Sequence, residues 1–135
     1  MEHNFVKAVA LKNNLQLKFY DNSKKIAGDR WLVSLSARIK IPVDSTFKSL
    51  PDPDPGKEEI LNLLGSEVLF EQKRDRFFID DKKKDSVFNE LCDYFLKSTI
   101  NYISHPDFPK KYIMMKFKEK KNKNLLEAAA AQYRS

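Results

Sequence analysis

The chain has 135 residues with a net charge of +6, and 41% of it is hydrophobic against 33% charged. That is enough apolar material for one packed core without disulfides, and too much for a disordered chain. The single cysteine, Cys92, excludes an internal disulfide and a multi-cysteine zinc site.

Charge is unevenly spread. Residues 1–43 carry +5, residues 44–80 carry −4 and residues 81–135 carry +5. Basic ends around an acidic middle suit a homo-oligomer, in which the middle of one copy meets the ends of another, or an acidic protein partner. Nucleic acid is the alternative partner. The segment MEHNFVKAVALKNN has no apolar stretch resembling a signal peptide, and no run approaches a membrane span, so the expected setting is cytoplasmic, with no membrane.

Phe5 to Leu11 is rich in strand formers, and Asn13-Asn14 offers a tight turn. Leu15, Leu17 and Phe19 then alternate with Gln16, Lys18 and Tyr20, the period of a half-buried strand. Residues 21–25, DNSKK, read as a polar turn, and Gly28-Asp29 as a second break. Segment 21–28 does not meet the Asp-x-Ser-x-x-Gly spacing of cyclic-dinucleotide-binding PilZ domains. Two extra residues separate Ser23 from Gly28, and no arginine precedes Arg30.

Trp31, Val33, Leu35, Ala37, Ile39 and Ile41 occupy every second position. They predict a long strand with that face in the core and Ser34, Ser36, Arg38 and Lys40 in water, ended by Pro42. Residues 44–56, DSTFKSLPDPDPG, read as a loop stiffened by alternate prolines. Asp52, Asp54, Glu58 and Glu59 read as a solvated acidic stretch, because interleaved prolines do not suit a calcium loop.

Ile60, Leu61 and Leu64 predict a short helix over 57–64 stopped by Gly65. Val68 to Gln72 and Arg76 to Ile79 read as two strands or as one bent strand. A long helix follows, capped by Asp85 and burying Phe88, Leu91, Cys92, Phe95, Thr99 and Ile103. His105-Pro106 ends it, and Pro109 suits the first turn of a second helix anchored by Ile113, Met114 and Phe117. Residues 1–117 read as a single α+β domain, and residues 118–135 as a C-terminal helical or fraying extension. The fold class expected is α+β: a curved antiparallel sheet of four or five strands, or a partly open barrel, packed by one long amphipathic helix.

No glycine cluster cradles a phosphate, so no cofactor is expected. His3 and His105 are the only histidines, and each reads as structural or solvated. Cys92, on an apolar stripe, reads as a buried small hydrophobe. With no catalytic set and no metal set, the function expected is a non-catalytic binding or interaction module that self-associates. The alternative is a nucleic-acid-binding protein using the lysine-rich C-terminal segment. The candidate binding residues are Lys82, Lys83 and Lys84, and then Lys110, Lys111, Tyr112, Lys116, Lys118, Lys120 and Lys121. Residues 110–123 hold seven lysines and one acid, interleaved with Tyr112 and Phe117, the kind of composition that single-strand binders use.

Overall fold

A computed structural model describes residues 4–48 and 56–134. Its elements are β1 (Phe5–Ala10), β2 (Gln16–Asp21), β3 (Lys24–Ala27), β4 (Arg30–Pro42), α1 (Val43–Phe47), α2 (Lys57–Leu64), β5 (Glu67–Asp80), α3 (Lys84–Ile103) and α4 (Phe108–Arg134). A 3-10 turn, Asp81–Lys83, precedes α3. The fold is α+β, with a five-stranded antiparallel sheet that does not close. Two compact units emerge: Met1–Ile39 with Leu69–Pro106, and Lys40–Val68 with Asp107–Ser135.

The first unit is built on the sheet. β1 pairs β2, β2 pairs β4, and β4 also pairs β3 and β5. Leu17↔Ile39 through Asp21↔Leu35 and then Lys24↔Leu32 follow one register, so β2 and β3 run along the same edge of β4. β3 corrects the polar-turn reading of its lysines. All four of its residues are exposed, so no alternation announces it; the hairpin at Gly28-Asp29 brings it onto β4. The Asn13-Asn14 turn forms with Asn14 at φ +70°, a conformation asparagine tolerates. The Asn13 amide also donates to the carbonyls of Ile103 (2.8 Å) and His105 (3.0 Å), serving groups left open at the end of α3.

Val33, Leu35, Ala37 and Ile39 are fully buried, as the alternation predicts, and Trp31 is half-buried. α3 supplies Phe88, Leu91, Cys92, Phe95 and Ile103 to the core, with Phe95 edge-on to Phe19 at 5.9 Å. Thr99 is half-exposed, with its hydroxyl turned to the Phe95 carbonyl. Asp85 lies in the first turn of α3 rather than at its cap. Asp80 instead caps the 3-10 turn, accepting from the Lys82 N–H at 2.9 Å, and this turn leads directly into α3. Of the two readings of residues 68–79, the single strand is the one observed, with Phe78 at φ +57°.

The second unit packs α1, α2 and the first half of α4. Helix α1 replaces part of the expected loop. Val43 and Phe47, four apart, both bury, and the Thr46 hydroxyl donates to the Pro42 carbonyl at 2.6 Å. Residues 49–55, with Asp52, Asp54 and the three prolines, lie outside the described residues, as does His3. Gly65, at φ +87°, stops α2 and donates to the Leu61 carbonyl at 2.8 Å. Ile60, Phe108, Tyr112, Ile113 and Phe117 are buried. The expected extension from residue 118 is the continuation of α4 to Arg134. No described helix is long and apolar enough to cross a membrane.

Candidate interaction surfaces

Strand periodicity places every second residue of β4 on the face away from α3. That face is only partly the wet one expected: Lys40 is exposed and Arg38 half-exposed, but the serines are not. Ser34 is 8% exposed and Ser36 is fully buried. The reason is β5, whose carboxylates reach over them. The Ser34 hydroxyl donates to Asp75 at 2.6 Å, and the Ser36 hydroxyl donates to Glu71 at 2.8 Å. Arg38 adds an ion pair to Glu71 at 2.6 Å and lies 4.4 Å from the centre of the Tyr20 ring. The Ser36 hydroxyl, followed by Arg38, holds the Glu71 carboxyl below its ordinary range. This network spends its polar groups internally, so it braces the sheet.

Beside it, β5 offers different material. Among the described residues β5 pairs with β4 alone, which leaves its other edge without a strand. Leu69 is 49% exposed, Phe77 62% and Phe78 71%. Two adjacent phenylalanines so far in water are unusual, and Phe78 also adopts a left-handed conformation that bulky residues avoid. Sequence reasoning missed this surface. A Phe-Phe pair at a strand end carries the same signal as core, and only the pairing of β5 reveals an edge.

The candidate lysines divide between the two units. Lys82 and Lys83 sit in the 3-10 turn and Lys84 opens α3. The Lys84 ammonium lies 3.9 Å from the centre of the Trp31 ring and 3.7 Å from Asp81, so it is engaged rather than waiting for a ligand. It lines a cleft of ≈ 390 Å³ with Trp31, Asp21 and Asp85.

Lys110, Lys111, Tyr112, Lys116, Lys118, Lys120 and Lys121 all lie on α4. Lys116 pairs with Glu119 at 3.3 Å, and Lys121 with Glu59 at 3.2 Å. Lys110, Lys111, Lys118 and Lys120 are exposed and form no ion pair among the described residues. Tyr112 and Phe117 are buried, 8% and 3% exposed, so neither ring of the lysine-rich segment can stack on a base.

Cys92 is 1% exposed, and burial pushes its thiol up, away from the thiolate a nucleophile needs. Among the described residues no three His, Cys, Asp or Glu side chains gather to hold a metal ion. Comparison with known proteins finds no matching family model, no matching curated relative and no matching solved structure.

Proposed function

We propose that this protein is an interaction module, without catalysis of its own, that self-associates through the free edge of β5. The observation that carries the reading is the uncovered β5 strand, with Leu69, Phe77 and Phe78 in solvent. An edge of this length is a template for another strand, and covering it removes both unpaired backbone groups and apolar area from water. The sequence of β5 fits a second copy of itself. A two-fold axis at Arg74 sets Lys73 opposite Asp75 of the second copy twice over, two opposite-charge pairs that offset the like pair of the two Arg74 residues on the axis. Phe78, at φ +57°, leaves the extended conformation, which bounds the paired stretch at Phe77.

Sedimentation velocity across a concentration series tests this. The native chain is expected to associate reversibly. Phe77→Ser and Lys73→Glu should each weaken association by about tenfold or more, since one removes the exposed aromatic side chain at the end of the paired stretch and the other reverses a charge beside its axis. A native chain that remains monomeric throughout the series would refute the proposal. So would association that ignores both substitutions.

A further inference from the structure

The second surface lies on α4, and it calls for a different partner. The buried side of this helix is set by Pro109, Tyr112, Ile113 and Phe117. On the other side, Lys111, Met115, Lys118, Asn122, Leu125 and Ala129 recur at intervals of four, three, four, three and four. That spacing draws one seam along a helix, the pattern by which one helix packs on another. All six side chains are exposed. Around the upper end of the seam, Lys110, Lys111, Met114, Met115 and Lys118 border a shallow groove of ≈ 360 Å³. At the lower end Leu125 is 63% exposed, with Leu126 beside it at 72%. Every side chain from Lys118 to Tyr133 is exposed. A helix of that length with nothing to bury is marginal in water, and packing is the usual source of its stability.

Charge identifies the occupant. Lys111 and Lys118 lie seven residues apart on the seam itself, and neither has an ion-pair partner among the described residues. A second copy of α4 brings no carboxylate there, because the two acids of α4, Glu119 and Glu127, both lie off the seam. Lysine at a seam position penalises self-pairing and selects a complementary helix. Nucleic acid needs no exposed leucines, and the aromatic rings between the lysines are buried. We infer that this seam docks an acidic amphipathic helix of another protein. That helix places carboxylates seven residues apart against Lys111 and Lys118, and apolar side chains against Met115, Leu125 and Ala129. Ala129 lets the backbones approach, and Met115 adapts its shape to the partner. This inference is independent of β5.

The test uses the full chain and a fluorescein-labelled helical peptide with Glu at one seam position of each heptad and Leu at the other. A twin peptide with Lys for Glu, a labelled single-stranded DNA and anionic phosphatidylserine vesicles complete the set. Fluorescence anisotropy, with sedimentation for the vesicles, should show binding of the acidic peptide and none of its basic twin. Lys118→Glu should weaken the acidic peptide by about tenfold or more. Lys123→Glu makes the same charge change on an exposed side chain off the seam, and should stay within about twofold, the scale of a distant surface charge. Circular dichroism should show both variants equally helical. The inference is overturned if the two variants lose affinity equally, since bulk charge then explains binding. It is also overturned if the acidic peptide fails to bind, or if DNA or vesicles bind more tightly with the same dependence on Lys118. The β5 variants should leave peptide affinity unchanged, which keeps the two surfaces separable.

Discussion

β4 and β5 lie side by side in one sheet, yet they make opposite use of their side chains. β4 buries Val33, Leu35, Ala37 and Ile39 on one face and Ser34 and Ser36 on the other. β5 buries Val68 and Phe70 near its start and then exposes Phe77 and Phe78. The difference follows from position. β4 has pairing partners along both edges, while β5 has β4 alone. A strand's burial is thus decided by its neighbours as much as by its composition, and an aromatic pair on an edge can stay in solvent where a central strand would bury it.

The sharpest way to break the comparison is to weaken the central strand. Leu35→Ala removes a fully buried side chain from β4 and should cost about 2–5 kcal/mol in urea denaturation. The same truncation at Leu69 of β5, 49% exposed, should cost no more than about 1 kcal/mol in the dissociated chain. Equal costs at the two positions would erase the distinction between centre and edge.

A smaller effect is expected where the two strands meet. Glu71 accepts from Ser36 and pairs with Arg38, and its carboxyl lies below the ordinary value of 4.5 for that reason. A depressed folded value means stability that is fully present above the unfolded value and is lost as pH falls through the folded one. Glu71→Gln should therefore destabilise by about 1 kcal/mol at neutral pH, the scale of a part-exposed charged hydrogen bond. The gap between native and variant should narrow below about pH 4.5 and close once Glu71 is protonated in the folded state. A gap independent of pH would assign Glu71 a packing role only. The buried Cys92 gives a matching kinetic check, since a thiol-directed reagent should label it far more slowly in the native chain than in denaturant.

Legibility in the sequence tracks the same contrast. The alternation from Trp31 to Ile41 and the apolar stripe from Phe88 to Ile103 announce their elements, because burial on one face imposes a period. β3 imposes none, being exposed throughout, and α1 is too short to show one. The burial of Ser34 and Ser36 was not readable either, since it depends on carboxylates 41 and 35 residues away along the chain. The candidate lysines of α4 stand together in the sequence. Which of them are paired, and which share a seam, required the helix and its neighbour Glu59. The β5 edge had no local signal at all.

The last expected effect tests the backbone of β5 at Phe78. Phe78 sits at φ +57°, a left-handed conformation in which a side chain's β-carbon crowds the backbone, at a cost of about 1–2 kcal/mol. Glycine escapes that cost but loses more chain entropy on folding. At an ordinary strand position the balance makes glycine less stable than alanine by about 0.5–1 kcal/mol. At Phe78 the order should reverse. Because the phenylalanine ring is 71% exposed, both truncations discard little packing, and the comparison of Phe78→Gly with Phe78→Ala isolates the backbone. Phe78→Gly should be the more stable of the two by about 1 kcal/mol, and close to the native chain itself. No described residue of β4 has a positive φ, so the same pair of substitutions at its exposed Lys40 should show the ordinary order, alanine above glycine. Two strands of one sheet would then rank the same two residues oppositely. If alanine wins at Phe78 as well, the left-handed backbone at that residue is absent in solution.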